Sequence, residues 1–234
     1  NILLIGEENS KIKLKILQKN TNKIKEFELT REIIKIQSVS SKKLKGKIGY
    51  IKIKNFQIRT SDDVRRTLEQ LLTTKIKGLI LDLRDNPGGI LEEAVRISDF
   101  FLKKGIIVIV KERVQTKEFN AHEDADDIML PIVAIANGGS ASAAEILVAS
   151  LRENNRLKLI GEKTFGKGTV QQLFKLKDDY GLKLTVAEYL SPNKNHIHNK
   201  GICPNIIISN EKDQMDTALK YLKSPWKIKD AICN

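Results

Sequence analysis

The spacing of hydrophobic and polar positions changes along this 234-residue chain. In the first 29 residues apolar side chains alternate with polar and charged ones, as in Lys11-Ile-Lys-Leu-Lys-Ile16, which is typical of strands with one face in water. From residue 47 onward, short apolar runs alternate with stretches in which apolar residues recur at helical spacing. Such an alternation of strands and helices predicts an α/β domain with right-handed crossovers.

Two apolar runs, 78–83 and 130–136, are almost uninterrupted, as expected of strands that are covered on both faces. The run Ser61-Asp62-Asp63 predicts a helix start, because serine is a good N-cap and acidic residues favour the first turn. The predicted helices cover 61–72, 91–103, 142–153 and 213–222, and the predicted strands of this part cover 48–53, 78–83, 106–110, 130–136, 157–160, 170–176, 182–190 and 206–208.

The pattern divides the chain into four predicted segments. Residues 1–29 contain three short strands, over 2–5, 12–17 and 24–29, and are too few to close a core of their own. We expect them to be the end of a module that begins upstream. They are followed by a linker over 30–46 with one strand at 33–39, the main domain over 47–223 and a tail over 224–234.

Composition and charge narrow the functional classes. The net charge is +12, and a basic protein of this kind can bind nucleic acid or an anionic membrane surface. The lysines, however, alternate with apolar residues along strands, and aromatic residues make up only 5% of the chain, so we expect no nucleic-acid partner. No apolar run reaches the 18 residues of a transmembrane helix. Two cysteines fit no metal or redox spacing, and we expect free thiols.

The first candidate for chemistry is Ser142, at the start of a predicted helix. It follows an apolar strand and the run Asn137-Gly-Gly, whose small side chains leave room for a substrate backbone. The free N–H groups of a helix start favour a developing oxyanion. Two alternatives remain open at this point. Ser142 and Glu145 form a formal capping box, so Ser142 could be only a helix cap, and Ser140 is a competing nucleophile.

A serine hydroxyl needs a base to take its proton. The three histidines lie in polar, loop-like stretches: His122, His196 and His198. A neutral lysine can serve instead, and Lys167 lies between two glycines about 20 residues beyond Ser142. Burial favours the neutral amine that this role requires. If residues 167–171 are extended, Gln171 lies on the same face and can orient the lysine. The alternative is a turn lysine in solvent.

The lysine segment also nearly matches a phosphate-binding loop. Residues 161–167 fit G-x-x-x-x-G-K, and the strand over 79–82 ends in an acidic residue that could hold magnesium. Position 168 is glycine instead of serine or threonine, and the residues that follow predict a strand, whereas a phosphate-binding loop opens a helix. A nucleotide-binding protein is therefore the less favoured alternative.

A glycine turn, Asn86-Pro-Gly-Gly89, follows the apolar strand over 78–83. It could be simply a tight turn, but a glycine amide with no side chain in the way is also a good oxyanion donor.

Four motifs in this order resemble those of the carboxyl-terminal processing proteases, also called tail-specific proteases. They are Leu81-Asp-Leu-Arg-Asp-Asn-Pro-Gly-Gly89, Asn137-Gly-Gly-Ser-Ala-Ser-Ala-Ala-Glu145, Gly161-Glu-Lys-Thr-Phe-Gly-Lys-Gly-Thr-Val-Gln171 and His198-Asn-Lys-Gly-Ile-Cys-Pro204. The resemblance covers residues 2–222. It implies an α/β fold with a core like those of the crotonase and Clp-protease families, preceded by a β-rich remnant of a PDZ domain in residues 1–29.

The resemblance also implies roles for single residues. Ser142 matches the nucleophile, Lys167 the general base and Gln171 the residue that orients the lysine. The amides of Gly88 and Ala143 match the oxyanion hole, and no metal or cofactor is expected. The implied function is a serine endopeptidase that processes the C-terminal region of its substrates through a Ser-Lys dyad and an acyl-enzyme.

The implied partners are proteins or peptides with exposed C-termini, in the bacterial cell envelope or periplasm. No signal segment is visible in the sequence, and we expect most of the PDZ domain to lie upstream of Asn1. We therefore expect a fragment of a longer exported enzyme, associated with a membrane only through a missing N-terminal segment. Unpaired strand edges near Asn1 lead us to expect a homo-oligomer. Cys203 and Asn205 stand where the family has Glu and Asp. The alternative is a catalytically silent peptide-binding or scaffold homologue of the same fold.

Overall fold

The computed structural model describes residues 4–32, 37–122, 128–177 and 180–224. The chain divides into two compact units, residues 1–37 and residues 38–234. In the smaller unit, β1 (Lys11–Leu17) pairs antiparallel with β2 (Ile24–Thr30), which confirms two of the three strands predicted there. The third predicted strand, over 2–5, lies partly outside the described residues. An isolated two-stranded hairpin is marginally stable at best.

The larger unit alternates strands and helices in its first two thirds and then becomes mainly strands. Its elements in chain order are β3 (Val39–Leu44), β4 (Ile48–Ile53), α1 (Thr60–Thr73), β5 (Gly78–Asp82), α2 (Leu91–Asp99), β6 (Ile106–Glu112), β7 (Thr116–Asn120), β8 (Ile132–Ala136), α3 (Ala143–Glu153), β9 (Leu157–Gly161), β10 (Thr169–Lys175), β11 (Gly181–Leu190), β12 (Ile206–Ile207) and α4 (Glu211–Lys223).

Two sheets organise this unit. The main sheet has the strand order β12-β9-β8-β5-β4-β3 and is parallel except for the β3–β4 pair. The second sheet is antiparallel, with the order β10-β11-β6-β7. The mixed architecture confirms the predicted α/β class. Within the linker predicted over 30–46, residues 39–44 are a strand of the main sheet, and the boundary between the units falls at residue 37.

The main sheet is covered on both faces, which explains its long apolar runs. Leu79 and Leu81 of β5 pack in a cluster with side chains of α1, α2 and α3, whereas Ile80 packs in a second cluster with α4. Both faces of β5 are therefore buried, and all five of its residues have almost no exposed surface.

Several predicted ends differ from the structure. Helix α1 begins at Thr60 after Arg59, whose φ is 73°, and not at a serine cap. The carboxylate of Glu93 in α2 accepts the N–H groups of Arg59 (3.3 Å) and Ser61 (2.6 Å), so another helix supplies the cap. Helix α2 ends at Asp99, four residues before the predicted end. Strand β7 was not predicted, because its sequence, Thr-Lys-Glu-Phe-Asn, has little apolar content.

The carboxyl ends of β5 and β8 lie side by side, because these strands are parallel neighbours. The loops that follow them therefore meet at one edge of the sheet, which is where open α/β sheets place their sites. The contact is direct, since the Ala141 N–H donates to the Asn86 carbonyl oxygen at 2.9 Å. In the part of the chain that the structure describes, no helix is long and apolar enough to cross a bilayer.

Candidate active site

Ser142 is the N-cap of α3 and is held in an unusual backbone conformation. Its φ is 56° and its ψ is −118°, in a region that residues with a side chain rarely adopt. Such strain costs on the order of 1–3 kcal/mol and persists only where surrounding contacts fix it. The side chain is half buried. A strained serine at a sharp turn between strand and helix is one way in which hydrolases expose a nucleophile.

Glu145 supplies the contacts that fix this turn. Its side chain has no exposed surface. Its Oε2 accepts the N–H groups of Ser142 (2.9 Å) and Lys167 (2.8 Å). Its Oε1 accepts the Thr164 hydroxyl (2.5 Å) and the Gly166 N–H (2.7 Å). One carboxylate thus joins the start of α3 to the turn over 164–167, and the main-chain nitrogens of Ser142 and Lys167 share a single oxygen. The sequence predicted only the bond to Ser142, as part of a capping box.

The two predicted oxyanion donors, Gly88 and Ala143, both lie beside Ser142. Gly88 has a φ of +94°, and a methyl group on its Cα would stand 2.7 Å from Ser142 Cβ and 2.9 Å from the Ala143 nitrogen. The Ala143 N–H has no acceptor among the described residues. The Gly88 N–H donates to Asn86 Oδ1 at 2.8 Å. Only the Ala143 N–H of this pair is therefore free for a substrate oxygen in the present arrangement.

Ser140, the competing nucleophile, is a structural group. It has no exposed surface. Its hydroxyl donates to the Leu83 carbonyl oxygen (2.8 Å) and accepts the Asn137 N–H (3.0 Å). These bonds tie the loop after β8 to the end of β5, and they leave the hydroxyl out of reach of a substrate.

The side chains of Lys167 and Gln171 are both exposed. Neither makes a hydrogen bond or ion pair with any residue that the structure describes. The burial that a lysine base requires is therefore not present in this arrangement, and strand β10 begins only at Thr169. The structure brings the main chain of Lys167 to Ser142 and leaves the two polar side chains in solvent.

Two of the three histidine side chains lie within hydrogen-bond distance of carboxylates at the surface. His122 Nδ1 lies 3.0 Å from an Asp99 carboxylate oxygen, and His196 Nδ1 lies 2.7 Å from Glu188. His198 is exposed, and its main chain packs against Gly168, next to the lysine turn.

A loop over 197–205 supports the lysine turn from outside. The Thr164 N–H donates to the Ile202 carbonyl oxygen (3.1 Å), and the Ile202 N–H donates to the Thr164 hydroxyl (2.6 Å). The hydroxyl of Thr164 therefore connects this loop to Glu145. Sequence reasoning missed Thr164, because its partners are distant in the chain.

The two positions that depart from the family motif have structural contacts. Cys203 is disulfide-bonded, which corrects the expectation of free thiols. Asn205 pairs with the main chain of Leu159 through its own N–H (2.8 Å) and its Oδ1 (2.9 Å), and so extends the pairing of β12 with β9 by one residue.

The phosphate-binding alternative is not supported by the local fold. Residues 169–175 after the Gly-Lys-Gly turn form strand β10, whereas a phosphate-binding loop needs a helix N-terminus at this point.

A buried charged cluster stands behind the loop over 85–89. The Arg84 guanidinium pairs with the Asp82 carboxylate at 2.5 Å, and the Tyr50 hydroxyl donates to the same carboxylate at 2.7 Å. Burial raises the pKa of Asp82, but the hydrogen bonds from Arg84 and Tyr50 outweigh it and hold that pKa below its usual value. Burial, together with the bond to Asp82, raises the pKa of Tyr50. Arg84 also contacts the Gln214 side chain of α4, so the cluster fixes the end of β5.

Comparison with known proteins gives the same assignment as the motifs. The chain matches the model of peptidase family S41 over residues 47–208. It is 39% identical over 208 residues to a carboxyl-terminal-processing protease of Synechocystis, covering 87% of this chain and 48% of that protein. It is 38% identical over 231 residues to a CtpA-like serine protease of Staphylococcus aureus, covering 96% and 45%. The chain thus spans about half the length of the curated relatives it matches.

A solved structure shares both fold and sequence. The photosystem II D1 C-terminal processing protease superposes on 94% of this chain with a TM-score of 0.70 and 26% identity, and 61% of that chain is covered. Because the family model covers most of the larger unit and the relatives align along nearly the whole chain, the chain belongs to peptidase family S41.

Proposed function

We propose that this chain carries the catalytic part of a serine endopeptidase that cleaves polypeptides near their C-termini through a Ser142 acyl-enzyme. The observation that carries the proposal is the carboxylate of Glu145, which binds the main chain of Ser142 and of Lys167 through one oxygen. Membership of family S41 supports peptidase chemistry. The names of the relatives, carboxyl-terminal-processing protease and D1 C-terminal processing protease, support cleavage near the C-terminus of the substrate.

In the proposed acylation, Ser142 Oγ attacks the carbonyl carbon of the scissile peptide bond while its proton passes to the neutral amine of Lys167. The carbonyl oxygen becomes an oxyanion, and the free N–H of Ala143 at the start of α3 stabilises it. The Gly88 N–H joins it only if the bond to Asn86 opens. The C–N bond then breaks, the Lys167 ammonium returns the proton to the leaving amine, and an ester on Ser142 remains.

In deacylation, Lys167 takes a proton from water and the resulting hydroxide attacks the ester carbon. The C–O bond to Ser142 breaks, and the serine oxygen recovers a proton from Lys167. The sum of the two stages is hydrolysis of one peptide bond by one water molecule. Because Lys167 is exposed, we propose that the bound substrate covers it and removes water from it, which favours the neutral amine. Gln171 then orients the amine.

The same proposal gives the setting of the enzyme. Residues 1–29 are the last strands of a PDZ domain, and the protease core includes β3, which pairs with β4 in the main sheet. The disulfide at Cys203 favours an oxidising compartment such as the bacterial cell envelope or periplasm. The exposed edges of the β1–β2 hairpin favour self-association.

The test is covalent labelling of the folded chain with a fluorophosphonate, followed by mass spectrometry of the labelled peptide. We expect modification of Ser142 in the parent and in Ser140→Ala, and none in Ser142→Ala. Lys167→Ala and Lys167→Arg should both lose labelling, because arginine cannot lose its proton in this range. A folded parent whose Ser142 is never labelled, whether or not a peptide substrate is present, would refute the proposal and favour the silent peptide-binding homologue.

A further inference from the structure

The end of α3 that lies away from Ser142 borders an open cavity of about 1030 Å³. The cavity is lined by the start of β8 at Pro131 and Ile132, by residues of the stretch 152–158 between α3 and β9, and by the loop after β11. Because α3 has 11 residues, it is roughly 16 Å long, and Ser142 stands at its other end. The cavity is therefore a second concave site, separate from the candidate active site.

The described residues that line this cavity carry more positive than negative charge. Arg152, Arg156 and Lys158 are cationic, and all three are partly buried. Glu153 is the single carboxylate among these lining residues, and it accepts the Asn193 N–H (2.7 Å) and the Asn195 side-chain amide (3.1 Å). The partners of Glu153 are therefore neutral amides, and it neutralises neither guanidinium group.

The Arg156 guanidinium is held by neutral groups. Its Nε donates to the Phe101 carbonyl oxygen at 3.0 Å, and one of its terminal nitrogens donates to the Ile128 carbonyl oxygen. It forms no ion pair with any carboxylate that the structure describes, and burial lowers its pKa. Arg84 provides the contrast, since its guanidinium is buried against the Asp82 carboxylate. A partly buried charge without an opposite charge beside it is unfavourable, and a bound anion would remove that penalty.

Arg152 brings a second guanidinium group to the same cavity. It lies in the last turn of α3, and its side chain makes no hydrogen bond or ion pair with any described residue. Guanidinium groups bind phosphate and carboxylate oxygens through two parallel N–H donors. Three cations around one cavity match the near-double charge and three acceptor oxygens of a phosphate monoester better than the single charge of a carboxylate.

We propose that this cavity binds a phosphate-bearing anion through the guanidinium groups of Arg152 and Arg156. The cavity has the size of a small-molecule site, for which about 300–1,000 Å³ is typical. The phosphate belongs either to a soluble monoester or to a phospholipid headgroup, two sources that share the same chemistry. The binding does not require the chemistry of Ser142, so it stands or falls independently of the proposed peptidase activity.

The first experiment titrates the folded chain with inorganic pyrophosphate at low ionic strength by isothermal titration calorimetry. We expect saturable binding at one site. Arg152→Gln should weaken it at least tenfold, because a hydrogen bond to a charged group is lost together with the charge. Arg113→Gln is the control, since Arg113 is also an exposed-type surface arginine but lies between β6 and β7. Equal affinity of the two variants, or no saturable heat with the parent, overturns the inference.

The second experiment needs no substitution, and so avoids the loss of the Arg156 contacts to the main chain. The parent is treated with phenylglyoxal, which modifies arginine, and the modified peptides are quantified by mass spectrometry. Pyrophosphate should slow modification of Arg152 and Arg156 at least fivefold and leave Arg113 unchanged. Equal protection of all three arginines, as general ionic screening would give, contradicts a site at the cavity.

The same protection assay separates the two sources of phosphate. Protection by glycerol 3-phosphate in solution assigns a soluble monoester. Protection by phosphatidylglycerol vesicles, but not by glycerol 3-phosphate or phosphatidylcholine vesicles, assigns a lipid headgroup. If pyrophosphate, glycerol 3-phosphate and the vesicles all fail to protect, the cavity is not an anion site. That result would favour an internal counter-charge from the segment 123–127, which has four acidic residues and lies outside the described residues.

Discussion

Replacement of Glu145 by glutamine is the most direct test of how the site is assembled. Glutamine has nearly the same shape as glutamate but exchanges one acceptor oxygen for an NH2 group. Glu145 faces donors on both oxygens, which are the Ser142 and Lys167 N–H groups at one and the Thr164 hydroxyl and Gly166 N–H at the other. Whichever way the amide is placed, its NH2 group meets two donors and two hydrogen bonds are lost.

The size of the effect follows from these contacts. A hydrogen bond to a charged group contributes about 1.5–3 kcal/mol, and two of the four donors, the Thr164 hydroxyl and the Gly166 N–H, belong to buried residues. We therefore expect Glu145→Gln to lower the free energy of unfolding by about 3–5 kcal/mol, a large share of the roughly 5–15 kcal/mol of a typical domain. Displacement of Ser142 relative to Lys167 by about 1 Å would slow fluorophosphonate labelling by about a hundredfold.

The assay is guanidinium denaturation followed by far-UV circular dichroism, with labelling rates measured where both proteins are folded. Glu153→Gln is the control, since Glu153 ends the same helix and accepts bonds from Asn193 (2.7 Å) and Asn195 (3.1 Å) at the surface. It should cost less than about 1 kcal/mol. If Glu145→Gln costs no more than this control and labels at the parent rate, the carboxylate does not hold the site together.

Three further substitutions test neighbouring contacts. Gly88→Ala should abolish labelling, because its methyl group would stand 2.7 Å from Ser142 Cβ. Gly138→Ala, whose methyl group would have no atom nearer than 4.0 Å, should label normally, and similar rates in the two variants would refute the packing argument. Asp82→Asn should cost about 3–5 kcal/mol at pH 7 by leaving Arg84 buried without its partner. The pKa of Asp82 lies below its ordinary value, so the parent should have the higher free energy of unfolding at neutral pH and lose this difference as the pH falls through that pKa. Denaturation curves in which the parent stays more stable than Asp82→Asn at low pH would contradict this. Ser140→Ala should lower the free energy of unfolding by about 1–3 kcal/mol, while labelling of Ser142 continues in the folded protein. Loss of labelling without loss of stability would instead assign a catalytic role to Ser140.

The parts of the fold that sequence could predict are those with local signals. The apolar runs over 78–83 and 130–136 became β5 and β8, because a strand buried on both faces has no polar side to interrupt it. The start of α3 after Ser142 was also predicted, since a serine followed three residues later by glutamate favours a cap.

The parts that it could not predict depend on distant partners. The role of Glu145 as a link between α3 and the lysine turn leaves no periodic trace, because its partners at 164–167 follow about 20 residues later. The cap of α1 was missed for the same reason, since Glu93 supplies it from α2. The exposure of the Lys167 and Gln171 side chains could not be predicted either. A motif specifies residue types and their spacing but not the burial of each side chain.

The contacts that hold the strained Ser142 turn have a consequence for folding kinetics. They join residues far apart in the chain, with separations of 22 residues between Glu145 and Lys167 and 57 between Ser140 and Leu83. Contacts of such separation form slowly, because loop closure must precede them. The serine turn should therefore reach its geometry only after the main sheet has formed. During refolding, reactivity of Ser142 toward fluorophosphonate is expected to appear later than helical circular dichroism, so that labelling of Ser142 reports the last step of assembly.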